Sequence, residues 1–307
     1  MLTTSVIVPT VGRKRLLTAC LNSVLNQTVS PNEVIVVDNT KNKEMKSVAS
    51  IMQNKTTIPI RYYHEAIPSA SLARNVGIKH AKYSILAFID DDCFASKKWL
   101  AELLSPFQKN SSCVVVKGCN RNALPNNIYS SAEYYNDELF FQTHLLIKNG
   151  VMFSQWIDSK NFAIKASLLK KTKVRFSKRY RSFDDLAFSM DLKKKDVLFQ
   201  FSNKAEVFHH GCTTFLKLFF RNICIGIDRK KIEARVGKKK DSIQLSRIEK
   251  DFFLTYRVAK DTENVKQSIL RKVLSHKGVT FSFAFTIVSY ISEITIKLSY
   301  RLTRDSL

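Results

Sequence analysis

Apolar and polar positions follow two distinct rhythms in the first third of the chain. Short runs at Thr4–Val8 (T-S-V-I-V, closed by Pro9), Val34–Val37 (V-I-V-V, ending at Asp38), Ile60–Tyr63 and Ser84–Ile89 have the length and composition of buried strands. Between them, apolar residues recur at helical spacing: Leu17, Leu21, Val24 and Leu25 within Arg15–Leu25, a stretch over Lys43–Gln53, and Leu72, Val76 and Ile78 within Ser69–Ala81. Strand and helix thus alternate four times across short links, which predicts parallel strands joined by right-handed crossovers. In such sheets ligands sit at the carboxyl ends of the strands, so Pro9 and Thr10, Asp38, and Asp90 to Asp92 are expected to share one crevice.

Further along, a helix is predicted over Ala95–Phe107 and a strand over Val114–Lys117, and the pattern then loosens through the aromatic-rich stretch Pro125–Gly150. N-F-A-I-K, inside Trp156–Leu169, reads as a strand turning into a helix. Phe183–Leu192 reads as a helix, and Val197–Phe208 as one or two strands ending in His209-His210-Gly211. From Phe215 the pattern is helical and basic, and cationic runs stand at Lys193–Lys195, Arg229–Lys231 and Lys238–Lys240.

With 307 residues, 45% of them hydrophobic, the chain can bury a substantial core. Lys and Arg outnumber Asp and Glu by 50 to 26, a formal charge of +24 that points to nucleic acid, an acidic membrane surface or phosphorylated substrates. No nucleic-acid module accompanies this charge, and the lysines cluster late in the chain without a stacking platform, so nucleic acid is not the expected partner. Cys20, Cys93, Cys113, Cys119, Cys212 and Cys224 form no C-x-x-C pair, which suits a reducing compartment. The first residues lack the charged and apolar regions of a signal peptide, and the catalytic portion is therefore expected in the cytoplasm.

Neither G-x-G-x-x-G nor a P-loop occurs among the eight glycines, so phosphates must be held another way. Asp90, Asp91 and Asp92 would repel one another at the end of a buried strand unless a cation shared them. A hard divalent ion that takes carboxylate and phosphate oxygens fits that demand; the alternative is a solvated acidic turn capping the next helix. Arg74, in S-L-A-R-N-V-G-I, could pair with diphosphate oxygens or a base, or be an ordinary surface arginine. Asp184 and Asp185 could be a general base and its neighbour or an N-cap pair. His209 and His210 point to opposite faces of a strand, so only one could serve a metal site, and spacing does not say which.

Taken in order, S-V-I-V-P-T-V-G-R-K-R with L-N-S-V-L-N-Q-T, E-V-I-V-V-D-N-T, S-L-A-R-N-V-G-I, L-A-F-I-D-D-D-C, S-F-D-D-L-A-F-S and A-E-V-F-H-H-G resemble the family 2 glycosyltransferases. These GT-A enzymes pass a sugar from a nucleotide donor to an acceptor hydroxyl with inversion. The resemblance covers Thr4 to Gly211. It implies an α/β fold with a GT-A type, Rossmann-like central sheet flanked by helices and a helical, basic C-terminal extension. The catalytic domain would span 1–212, with a nucleotide-binding half over 1–117 and an acceptor half over 118–212, followed by a basic region over 213–307.

By the same resemblance, Pro9, Thr10 and Asp38 would line the base and ribose pocket, with Arg74 near base or phosphate. Asp91 would contact the ribose, Asp90 would be a supporting carboxylate, and Asp92 would ligate Mg²⁺ or Mn²⁺ with His209 approaching the metal-diphosphate. Asp185 would be the catalytic base and Asp184 its neighbour. Asp184 stands where the family usually has glutamate, so a shorter carboxylate must orient the site. The Q-x-x-R-W signature of processive members is missing after His210, which argues for single-sugar transfer. The implied activity is hexosyl transfer from a UDP-, GDP- or dTDP-sugar to a glycan or lipid-linked acceptor in polysaccharide or lipopolysaccharide biosynthesis. The alternative, a catalytically silent sugar-nucleotide-binding scaffold, is disfavoured by an intact Asp92, Asp185 and His209 set.

Gly278–Ser292 carries no charge but is shorter than the roughly 20 apolar residues of a spanning helix. On a helix, Ser282, Thr286, Ser289, Glu293, Lys297 and Tyr300 form a polar stripe, and Ala284, Ile287, Val288, Ile291, Ile294 and Leu298 an apolar one, with Arg301 and Arg304 beyond. Two readings stand: a helix in the membrane interface, or one packed against protein. The first is favoured and places the chain peripherally on the inner face of the cell membrane through 278–304, with Phe215–Ile227 as a candidate second segment.

Overall fold

The computed structural model describes residues 2–142, 145–237 and 279–302. The run Lys238–Lys240, Gly278 and Arg304 lie outside these residues. Ten strands form one sheet: β1 (Thr4–Thr10), β2 (Glu33–Asp38), β3 (Ile60–His64), β4 (Ile85–Ile89), β5 (Cys93–Ala95), β6 (Val115–Asn122), β7 (Leu145–Lys148), β8 (Val151–Ser154), β9 (Asn161–Lys165) and β10 (Phe199–His209). Their spatial order is β3-β2-β1-β4-β9-β6-β10-β8-β7, with β5 paired to β10. The first four strands are parallel, as their alternation with helices predicts, while β9 enters antiparallel between β4 and β6.

The strands are apolar on both faces because both faces are covered. Val6, Val8, Val34, Val36, Ala87 and Ile89 pack toward Leu17, Leu21 and Val24 of α1 (Lys14–Leu25) and Trp99, Leu100 and Leu103 of α4 (Trp99–Lys109). Their neighbours Ile7, Ile35, Val37, Leu86 and Phe88 join the opposite core, with Ala73 and Ile78 of α3 (Ala70–His80) and Phe188 and Leu192 of α7 (Asp184–Lys193). The period of two along each strand assigns its side chains to the two cores.

Three stretches differ from the sequence expectation. The helix foreseen from Ala95 starts at Trp99, because Cys93–Ala95 is captured as β5 by β10, a partner more than a hundred residues away. Within α4, Pro106 denies the Glu102 carbonyl its usual N–H partner, and Ser202 Oγ of β10 donates to that carbonyl instead at 3.1 Å. Helix α2 (Lys46–Gln53) begins later than Lys43, which takes a left-handed φ of 55°, and Asp38 accepts the Met45 N–H at 2.8 Å. The loosely patterned stretch contains helix α5 (Ile128–Gln142) and a β7–β8 hairpin turned by Asn149 and Gly150, both at positive φ.

The remaining helices are α6 (Ala166–Thr172), α8 (Phe215–Gly237) and α9 (Val279–Leu302). The chain separates into two compact units. Described parts of Met1–Arg121, Leu146–Arg179 and Asp184–His209 form the first, and those of Asn122–Leu145, Tyr180–Phe183 and His210–Leu307 the second. The first holds nearly the whole sheet. In the second, α9 packs along α8 and α5.

Candidate active site

Every side chain of the candidate site belongs to the first unit. At the carboxyl end of β1, Thr10 donates its hydroxyl to Asp91 Oδ2 at 2.5 Å, and Pro9 is buried opposite Val37 of β2. The chain then turns at Gly12, whose φ of +94° and a contact of 2.9 Å between an added Cβ and Thr40 Cγ2 leave no room for another residue. This turn delivers Arg13, whose guanidinium bridges the Asp91 and Asp92 carboxylates. Burial pushes the Asp91 carboxyl up, with Arg13 opposing it. Burial would also raise Asp92, but His209 and Arg13 outweigh it and hold Asp92 below the usual carboxylate range.

His209 reaches the site because β10 runs antiparallel to β5, in a register that pairs His209 with Cys93. Its Nε2 lies 3.6 Å from Asp92 Oδ2. The His210 backbone carbonyl accepts from Ser130 Oγ at 3.3 Å within the second unit. Of the two histidines, His209 is the one whose ring the structure brings to Asp92.

Arg74 is a buried brace rather than a surface residue. One nitrogen donates to Asp90 Oδ1 at 2.8 Å and the other to Asp184 Oδ2 at 2.9 Å, while its guanidinium stands over Phe176, 5.5 Å from the ring centroid. Ser71 Oγ adds a hydrogen bond to the same Asp184 oxygen at 2.9 Å. The end of β4 and the start of α7 are thus clamped together through one cation.

Asp185, beside Asp184, is buried and accepts the Leu186 N–H at 2.7 Å and the Ser159 N–H at 3.3 Å. Burial, then repulsion from Asp184 and Asp158, pushes its carboxyl up to about 8. Asp184 is also raised by burial, with Arg74 opposing. The Leu186 bond is a helix-end contact, so the cap and base readings are compatible: the N–H groups hold the carboxylate while its environment sets its basicity.

Asp38 is placed differently from the expectation of direct donor contact. It lies beside Thr10 at the end of β2 but is fully buried, accepting from Thr40 N–H and hydroxyl, Met45 N–H and Tyr62 hydroxyl at 2.8–2.9 Å. Its carboxylate fixes the loop after β2. These bonds outweigh the effect of burial and lower its pKa.

Three residues were missed as individuals. Arg13 was legible only as part of a motif. Asp158 and Lys160, an ion pair at 2.8 Å, stand behind Asp185 in D-S-K-N, a polar interruption ahead of β9 that alone could have marked them. Among the described residues no three His, Cys, Asp or Glu side chains form a ready-made metal cage. Asp92 and His209 nevertheless suit a divalent ion that completes its shell with phosphate oxygens and water, and the Arg13 guanidinium on Asp91 and Asp92 shows that the carboxylates accept a cation.

A family model described as glycosyl transferase family 2 matches residues 5–171. The poly(ribitol-phosphate) beta-N-acetylglucosaminyltransferase TarP of Staphylococcus aureus is 25% identical over 194 residues, covering 61% of this chain and 56% of its own length. A poly(ribitol-phosphate) beta-glucosyltransferase of Bacillus spizizenii is 25% identical over 203 residues, 63% of this chain and 30% of its own length. The chain thus spans little more than half of the first relative and under a third of the second. Among solved structures, a mannosyltransferase of Pyrobaculum calidifontis in complex with GDP-Man and Mn²⁺ superposes with a TM-score of 0.66 at 14% identity, covering 99% of this chain and 88% of that one. That likeness carries the fold.

Proposed function

Because the chain belongs to glycosyl transferase family 2 and has the GT-A fold, we propose that it transfers a single sugar, with inversion, from a nucleotide-sugar donor to a hydroxyl of a cell-surface glycan or lipid-linked acceptor. The observation that carries this reading is the Arg74 clamp, which ties the donor-side Asp90 to Asp184, the chain neighbour of the buried base Asp185. Catalytic residues are proposed within 1–212, and the basic region 213–307, whose described parts are the helices α8 and α9, is proposed to associate with the inner face of the cell membrane.

Thr10 orients Asp91 toward the donor ribose, while Asp38 fixes the loop after β2 and Pro9 lies beside it in β1. Asp185 takes the proton of the attacking hydroxyl as it approaches the anomeric carbon from the face opposite the leaving group. Asp184 keeps α7 anchored and, through Arg74, keeps Asp90 in place. Mg²⁺ or Mn²⁺, when bound by Asp92 and His209, supplies charge stabilisation for the departing diphosphate. Arg13, half-exposed and bridging Asp91 and Asp92, is a cation of this chain placed beside that charge.

Two relatives are named for transfer to poly(ribitol-phosphate), and a charge of +24 suits a phosphate-bearing acceptor. The donor class is tested by screening UDP-, GDP- and dTDP-sugars with Mg²⁺ or Mn²⁺. One class should raise the melting temperature and be turned over only with metal. Failure of every nucleotide sugar to bind would sink the reading.

A further inference from the structure

The face that α9 turns toward its neighbours in the second unit is mainly polar, with Val288 packed against Ala132 and Leu218 as its apolar contact. Ser292, Thr295 and Ser299 are buried there, and Ser292 Oγ accepts from Asn136 Nδ2 of α5 at 2.9 Å and from Asn222 Nδ2 of α8 at 2.7 Å. Gly226 of α8 lies so close to Ser299 that any Cβ would collide with its hydroxyl. A surface helix in water buries its apolar stripe and exposes its polar one. Here, Val288 apart, the order is reversed.

Ile287, Ile291 and Leu298 are 43%, 36% and 50% exposed, and helical geometry places them on one stripe with Ile294. On α8, Leu216 and Phe220 are 63% and 60% exposed, one turn apart, and Ile223 and Ile227 continue that stripe. Small and hydrogen-bonding residues inside, with large apolar residues outside, is the arrangement of helices whose surroundings are lipid. No described helix is long and apolar enough to cross a membrane. A third face of α9 carries the exposed Glu293–Lys297 ion pair at 2.7 Å, which suits the polar side of a helix lying in the headgroup layer. Charge selects the lipid: between Phe215 and Leu307 there are 20 Lys and Arg against 9 Asp and Glu, and Lys217 is exposed next to Leu216.

We propose that the Ile287–Ile291–Leu298 stripe of α9 and the Leu216–Phe220 stripe of α8 insert into the interfacial layer of an anionic phospholipid bilayer. This deepens the membrane location in the reading above by naming the surface, and rests on that location alone. The test is flotation of the full chain with vesicles of phosphatidylglycerol and phosphatidylcholine, compared with phosphatidylcholine alone. Wild type should float with the anionic vesicles, and Ile287→Asp/Ile291→Asp should bind them at least about tenfold more weakly, whereas Ile287→Leu/Ile291→Leu should bind as wild type. All three should share one melting temperature and one rate of metal-dependent donor hydrolysis. Equal flotation of the aspartate variant, or none of wild type, would overturn the proposal. So would a lower melting temperature in the aspartate variant, which would mean that the chain itself covers the stripe, or a solution dimer that it dissociates. Flotation as expected without sugar transfer would count against the catalytic reading and leave this one standing.

Discussion

Asp185→Asn preserves the size of the side chain and one oxygen, which can keep the shorter bond from the Leu186 N–H while the longer one from Ser159, made to the other carboxylate oxygen, is lost, and it removes the capacity to take up a proton. A general base in the transition state contributes on the order of 10²–10⁴-fold, so transfer should fall by that factor with donor binding nearly unchanged. In wild type the carboxyl is raised to about 8, so only about one molecule in ten is ionised at pH 7, and kcat/KM should climb close to tenfold before levelling above pH 8. Stability should move the other way. Between the ordinary value of 3.8 and about 8, the folded chain keeps a proton that the unfolded chain has lost, so this group makes wild type less stable as pH rises through that window. The slope is at most about 1.4 kcal/mol per pH unit. The variant lacks this loss and should gain on wild type steadily from pH 4 to 8. Transfer kinetics and urea denaturation, both run as pH series, check the two halves. Activity retained in the variant, or activity and stability lost together at every pH, would refute the assignment, because the second outcome describes a structural cap.

Other perturbations report on the frame around that base. Arg74→Gln leaves Asp90 and Asp184 without their buried cation and should cost about 3–5 kcal/mol in chemical denaturation; an unchanged midpoint would mean that the clamp is not holding β4 to α7. Arg13→Ala removes the counter-cation from Asp91 and Asp92, so Mn²⁺ should raise the melting temperature more in the variant than in wild type, and equal shifts would show that the guanidinium does not compete with metal. Chelation should abolish transfer, with recovery on adding Mg²⁺ or Mn²⁺; full activity in chelator would remove Asp92 and His209 from the role of ligands. Gly12→Ala should destabilise by about 1 kcal/mol or more, since the turn needs φ near +94° and Thr40 occupies the space, and wild-type stability would show that the turn tolerates a side chain after all.

The parts of the fold that were legible are those whose cause is local. β-Branched runs closed by Pro9 and Asp38 become central strands because continuous apolar residues can only be buried on both faces. The Asn149–Gly150 turn is equally local, yet the runs beside it carry no alternation that would announce a hairpin. Strand β5 could not be read, because three residues make a strand only when a distant partner offers its edge, and that partner is β10. The site divides in the same way. Asp90 to Asp92 and Asp184–Asp185 stand out as carboxylates where apolar residues are expected, but the partners that give each its character are distant in sequence, from Arg74, 16 residues before Asp90, to His209, which meets Asp92 from the far end of β10.

The alternation of strands and helices from β1 to β4 was determined by sequence alone, since it follows from residue type and spacing along the chain, and the family and the carboxylates that carry the proposed chemistry were indicated by the resemblance of the ordered motifs. Tertiary structure decided which histidine meets Asp92, that Arg74 clamps two carboxylates, that Asp38 faces inward, and which side of α9 is packed. The physical reason is that side-chain spacing reports which face a residue shares with its neighbours, whereas charge pairing, burial and the resulting proton affinity depend on what the folded chain brings to that face.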